Sequence, residues 1–309
     1  MLRLVTVKAK EHYKRRFKMT TIAYFTGTGN SFDAANNISN YLKYSELVPI
    51  ISLLHLPTID IKTDKLIIIY PTYLFTIPYP ARQFIKKLNT TNIGYLAAIT
   101  TSENGNNLSW ITLNRLLKIK NRKLDYFYEI KMPQSTPTGI RPTKGDEHWV
   151  ESVSRENTAS LFENNKMIYK NISNDLINST VQPVPAISVG NKLIESFISL
   201  ISKNNSSKLS FYSDASCTGC KICEEICPAN RIEVSDKKAE WNQNKKCYYC
   251  FACFNACPNQ SILLKNYSKK DGRYINPNIS LADLMNQKSP DNRFNRTSRT
   301  THTANQAEV

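Results

Sequence analysis

The chain has 309 residues, 41% of them apolar, with 41 Lys and Arg against 25 Asp and Glu, a formal net charge of +16. The length excludes a disulfide-stapled mini-protein and suggests about two domains, and the apolar fraction excludes global disorder. No apolar run approaches the roughly 20 residues of a membrane span, and the basic charge is not accompanied by the aromatic-interleaved repeats of a nucleic-acid binder.

Residues 1–18 hold seven bases and one acid. They read as a leader or a mis-assigned start ahead of Met19, or alternatively as a basic, acid-poor organellar targeting peptide. They lack the apolar core of a secretory signal. The expected location is therefore the cytoplasm, or an organelle matrix if the leader is a targeting peptide.

Residues 19–208 alternate strand and helix signals. Thr21–Phe25, Leu47–Ser52, Lys65–Tyr70, Tyr95–Thr100 and Leu124–Ile130 read as strands. Helical patterns fall at Ser31–Lys43, Pro80–Leu88 and Asn107–Ile119, and later at about Glu147–Ser179 and Asn191–Ser202. The run Leu66-Ile67-Ile68-Ile69 is apolar on both faces, as in a strand covered by helices on both sides. This predicts an α/β fold with a doubly wound, parallel, five-stranded sheet. Residues 133–146 are rich in Pro and Gly and read as a loop, and Asn204–Lys208 reads as a linker. Residues 209–270 form a second, small α+β domain, and residues 276–309, rich in Asn, Ser, Thr and Arg, read as a disordered tail.

The first strand runs through Thr26-Gly27-Thr28-Gly29-Asn30-Ser31 into a helix. Small and hydroxyl residues there let backbone N–H groups approach an anion, and the helix N-terminus favours negative charge. A Walker A loop is excluded because Gly-Lys-Ser/Thr is absent. A dinucleotide fingerprint is weakened because Phe32 stands where its third Gly belongs. The loop resembles the flavin mononucleotide (FMN) phosphate loop of flavodoxins, and a hydroxyl-rich cradle suits a terminal phosphomonoester. The alternative is a Gly-rich turn with no ligand. In a flavodoxin-like sheet the ligand lies outside the carboxyl ends of the strands at the switch point. Thr72 and Tyr73 after strand three, and Thr101, Ser102, Asn104 and Gly105 after strand four, are the expected flanks of the flavin ring, with Tyr73 as the stacking candidate.

All eight cysteines lie between Cys217 and Cys257. Cys217-x2-Cys220-x2-Cys223-x3-Cys227-Pro228 recurs 30 residues later as Cys247-x2-Cys250-x2-Cys253-x3-Cys257-Pro258. Zinc sites pair CxxC units across a longer spacer, and disulfides need an oxidising compartment. The run is instead the bacterial ferredoxin ligand pattern. The segment from about Leu209 to Tyr267 resembles the bacterial two-cluster ferredoxins. In those proteins the fourth Cys of each run ligates the other cluster. The resemblance thus implies one 4Fe–4S cluster on Cys217, Cys220, Cys223 and Cys257, and a second on Cys247, Cys250, Cys253 and Cys227.

From Thr20 to Tyr267 the chain resembles fusions of a flavodoxin-like domain with a two-4Fe–4S ferredoxin, found in anaerobic bacteria and some anaerobic protists. The resemblance implies an electron-transfer protein working with redox partner proteins, with no nucleic acid and no membrane span. One alternative is a flavin-dependent reductase of a small acceptor fed by the clusters. Another is a redox docking or sensing module with an empty flavin domain. The four scattered His and the absence of a Gly-x-Ser-x-Gly elbow offer no catalytic residue.

Overall fold

The computed structural model describes residues 19–73, 75–103, 108–136, 153–182, 190–191, 193–194, 196–197, 211–264 and 272–290. Of the predicted helix at 191–202, residues 191, 193, 194, 196 and 197 are helical; its other residues, the linker at 204–208 and much of the 133–146 loop lie outside the described residues.

Five strands form one all-parallel sheet: β1 (Thr20–Tyr24), β2 (Ser45–Pro49), β3 (Thr63–Pro71), β4 (Ile93–Ser102) and β5 (Tyr126–Lys131). Their order is β2-β1-β3-β4-β5. That is the flavodoxin-like doubly wound order, with its switch point between β1 and β3. Helices α1 (Asn30–Tyr41), α2 (Tyr79–Lys87), α3 (Ser109–Lys118) and α4 (Arg155–Asn178) cover it.

The side-chain alternation of β3 shows why the central strands are apolar throughout. Leu66, Ile68 and Tyr70 join one core with Phe84 of α2 and Leu113 of α3, whereas Ile67 and Ile69 join the other with Ile38 of α1 and Ile172 of α4. Successive residues of a strand point to opposite faces, and here both faces are buried. The predicted second strand is corrected: it ends at Pro49, and Ile50–Leu53 forms one helical turn. Ile50 and Leu53, three residues apart, then bury on the same side in the first core.

The cysteine-rich part repeats in backbone as well as in sequence. Strands β6 (Phe211–Ser213), β7 (Ile232–Ser235) and β8 (Lys238–Trp241) accompany helix α5 (Ile222–Ile226) in the first half. Helix α6 (Ala252–Ala256) and strand β9 (Ile262–Leu264) belong to the second. Left-handed φ values recur at positions 30 apart: Gly219 and Tyr249, Lys221 and Phe251, Asn230 and Gln260. β9 pairs antiparallel with β6, tying the second half to the start of the first.

The expectation of a disordered tail from Asn276 is corrected over the residues described. Ser280 caps helix α7 (Leu281–Met285) with a full capping box, and a 3-10 turn follows at Asn286–Lys288. Polar composition suggested disorder, but Asn276, Ile279, Leu284 and Gln287 are buried, and Asn276 and Gln287 bond to distant parts of the chain. Leu284 is 1% exposed. Leu284→Ala is therefore expected to lower the free energy of unfolding by about 2–5 kcal/mol, read from denaturant titration; an unchanged midpoint would return this segment to a disordered tail.

Candidate functional site

Cys217, Cys220, Cys223 and Cys257 line one cleft, together with Ile222, Val234, Ala239 and Ile262. Burial pushes the Cys223 thiol up to about 12, and the neighbouring Cys257, Cys220 and Cys217 push the same way. Burial raises Cys253 well above the usual thiol range, and Cys227, Cys250, Cys247 and Cys223 push the same way. The fold thus gathers the eight thiols into two sets that cross between the runs, and none forms a disulfide.

Four crowded thiols repel one another as thiolates. The positive charge of bound iron would offset that repulsion and leave each coordinating thiol deprotonated. The left-handed residues at 219, 221, 249 and 251 curl each cysteine loop, and such turns direct successive N–H groups inward as a nest for an anion. The donor set, the apolar lining and the nests together fit 4Fe–4S clusters. Phe211, Phe251 and Phe254 pack as a T-shaped series next to these thiols, with Trp241 stacked on Phe211. This shell keeps the site dry, which tunes reduction potential.

The two sets differ in surroundings. In the first, Cys220 is exposed and Cys217 half-buried; in the second, Cys250 and Cys253 are buried. The second set faces the sheet domain. Tyr248 stacks on Tyr79, the first residue of α2, at 5.4 Å between ring centroids. Cys250 packs on the β1–α1 loop so closely that a Cβ on Gly27 would overlap the Cys250 carbonyl oxygen and lie 2.6 Å from the Tyr73 hydroxyl. Only glycine fits there.

The β1–α1 loop is built as an anion cradle. Gly29, at φ 104°, is the N-cap of α1. Its N–H donates to Thr26 Oγ1 at 3.0 Å, holding the loop closed. Ser31 Oγ lies 2.8 Å from Thr101 Oγ1, which fastens the helix start to the end of β4. Thr26, Thr28, Asn30 and Ser31 are all buried, yet the N–H groups of Gly27, Thr28, Asn30 and Ser31 make no hydrogen bond among the described residues. Buried unpaired N–H groups are rare in proteins; at a helix N-terminus they suit a phosphate. Thr72 adds a second orphan: its N–H donates to Thr101 O at 2.9 Å, but its buried Oγ1 has no partner. The residues present therefore fit a flavin phosphate in the loop and a polar edge beside Thr72.

Tyr73 lies in a tight turn with Thr76, edge-on to Phe25 at 6.3 Å. Burial raises its hydroxyl well above the ordinary phenol range, and the Cys250 and Cys247 thiols push the same way. It is thus a link between the loop and the second cysteine set, a role that the stacking expectation did not include. Ser102 donates to Glu129 at the end of β4. Asn104 and Gly105 lie outside the described residues.

The C-terminal strap closes this region, and polar composition hid it from the sequence reading. Gln287 Oε1 accepts from Thr26 N–H at 3.1 Å, and Asn276 N–H donates to Thr28 O at 2.8 Å. Tyr274 and Asn276 both donate to Asn30 Oδ1, at 2.6 and 3.2 Å. Asn276 and Ile279 press on Gly29. The strap also returns to the cysteine module, where Lys288 Nζ donates to Asn230 Oδ1 at 3.1 Å.

Among the described residues no helix is long and apolar enough to cross a membrane. Comparison with known proteins agrees with the cysteine geometry. Residues 216–262 match the family of the 4Fe-4S dicluster domain. Over 52 residues, 17% of this chain, the protein is 44% identical to a component of the ion-translocating oxidoreductase complex of Methanosarcina acetivorans; the match spans only 19% of that relative. Two solved structures are similar to about a third of the chain. A flavoprotein of Lactobacillus acidophilus in complex with FMN is 18% identical, covering 36% of this chain and 93% of that one, with a TM-score of 0.30. A protein of Bacteroides uniformis described as a flavoprotein is 14% identical, covering 37% and 90%, with a TM-score of 0.29. The fold assignment rests on strand order and connectivity. The chain thus carries an iron–sulfur dicluster domain of ferredoxin type beside a flavodoxin-like sheet.

Proposed function

We propose that this protein is an electron carrier joining two 4Fe–4S clusters to an FMN, with redox proteins as its partners. The observation that carries the reading is the close packing of Cys250 on Gly27, which sets one cysteine set against the phosphate loop. In this reading Cys217, Cys220, Cys223 and Cys257 hold the outer cluster, and Cys227, Cys247, Cys250 and Cys253 hold the inner one. Gly27, Thr28, Asn30 and Ser31 receive the flavin phosphate through their free N–H groups. Thr72, Thr101 and Ser102 flank the ring. When bound, the clusters supply one-electron transfer and the flavin either one- or two-electron transfer.

The chain's own residues set the order of the centres. Cys220 and Lys221 are exposed at the outer cleft, with Lys237 close to Gly219 beside it. The exposed Cys220 makes this cleft the side open to a donor protein. Tyr73, Phe25 and the Cys250 carbonyl fill the space between the inner set and the loop and exclude water from it. Residues 19–208 would then be the flavin domain and residues 209–270 the cluster domain.

Anaerobically purified protein should contain iron and sulfide near eight each and one FMN per chain, as two clusters and one flavin require. Protein without iron, or with iron but without flavin in every preparation, would overturn the carrier reading. Replacing the Gly27 hydrogen forces the cysteine loop away from the cradle. Gly27→Ala should therefore retain iron but slow flavin reduction by dithionite at least tenfold, followed by stopped-flow absorbance. A wild-type rate would show that this contact does not set the path.

A further inference from the structure

The cysteines and prolines of the two halves repeat at 30 residues, whereas many of the residues between them differ. The fourth residue after the last cysteine of each run is Arg231 in the first half and Ser261 in the second. Because the fourth cysteines cross between sets, Arg231 falls beside the inner thiols and Ser261 beside the outer ones. Ser261 Oγ lies 3.1 Å from Cys257 Sγ.

Arg231 is 1% exposed, the largest fully buried side chain among the described residues. Its Nε donates to Asn242 O and its Nη2 to Gln243 Oε1, both at 2.9 Å. Its Nη1 is buried with no hydrogen-bond partner. The salt bridges among the described residues use Arg122, Lys166 and Lys238, none of them Arg231. A buried cation without a counter-charge is costly. Burial raises the Cys247 thiol, and the Arg231 guanidinium, by its charge and as a hydrogen-bond donor, works against that rise. A buried guanidinium with a spare N–H beside a ligand cysteine points to an anionic cluster as its counter-charge.

We propose that Arg231 sets the reduction potential of the inner cluster above that of the outer one, and so biases electrons toward the phosphate loop. The proposal rests on the carrier reading above. Adding one electron, taken from a low-potential one-electron donor, makes a cluster more negative by one charge and breaks no bond. Burial of the inner set disfavours that added charge, and the fixed positive charge of Arg231 offsets it. Once the thiols hold iron, a bond from either Arg231 or Ser261 has an ionised acceptor, but only Arg231 also brings a full positive charge. Lys221 and Lys237 beside the outer set are exposed and screened by solvent.

The test is an EPR-monitored redox titration of the full chain, purified anaerobically with its clusters. The wild type should show two separable midpoints. Arg231→Gln should lower only the higher one, by about 60 mV, the one-electron equivalent of a tenfold change in equilibrium. Arg231→Lys, which keeps the charge, should restore most of that shift, and Ser261→Ala should move only the lower midpoint. If Arg231→Gln loses iron, Ser261→Arg decides the matter: a cation at the outer set should raise the lower midpoint toward the higher. The proposal fails if neither midpoint moves, if both move equally, or if Arg231→Gln moves the lower one. The titration reads the clusters alone. A chain without flavin would therefore sink the flavin route while these same shifts still decide the role of Arg231.

Discussion

The contact between the Cys250 loop and the β1–α1 loop is the constraint on which the arrangement depends. Gly27 has no side chain, so the backbone of the second cysteine run comes down directly on the sheet's switch point. Any larger residue would hold the two parts of the chain apart. Tyr73 closes the same junction with its hydroxyl, and Tyr248 stacks on Tyr79 nearby. Aromatic pairs of this sort contribute about 0.5–1.5 kcal/mol beyond the area they bury. The junction is thus dry, tight and specified by shape.

The strap turns this contact into a closed site. Its polar residues are not solvated; they satisfy backbone groups that the β1–α1 loop would otherwise leave unpaired. Gln287 serves Thr26 N–H, and Asn276 serves Thr28 O. What remains unpaired in the loop is the set of N–H groups that forms the cradle. The same segment reaches α5 through Lys288, whose ammonium donates to Glu224 O at 3.3 Å. Loop, strap and cysteine module therefore hold one another in place. A group bound in the cradle would be enclosed on the strap side by Asn276 and Ile279.

Charge acquires a different meaning once these positions are known. A net +16 first suggests a polyanionic partner. Residues 1–18, with seven bases and one acid, carry more than a third of it. Of the rest, Arg231 is buried toward Cys247, and Lys288 is partly buried between Asn230 and Glu224. Cations in such positions compensate the negative charge that thiolates bring to a low-dielectric interior. The thiols alone register that environment, since burial drives Cys223 and Cys253 upward.

The sheet was legible in the sequence because both-face burial leaves an unmistakable apolar run at Leu66–Ile69, and because hydroxyl and Gly residues mark the turn from β1 into α1. The cysteine spacing was legible because a cubane needs three thiolates on one tight loop, and the repeat of 30 residues left none over. Arg231 and Ser261 stand at matched positions among many that differ, and nothing in the spacing says which way a guanidinium points. Tertiary structure alone decided the rest. Ordering of Asn276–Ser289 depends on acceptors and donors some 250 residues away, which no local composition can reveal. Which cysteine set is inner depends on how one domain seats on another, and that is settled by the missing side chain of Gly27. Local physics fixes the kinds of site this chain can build; packing fixes their order.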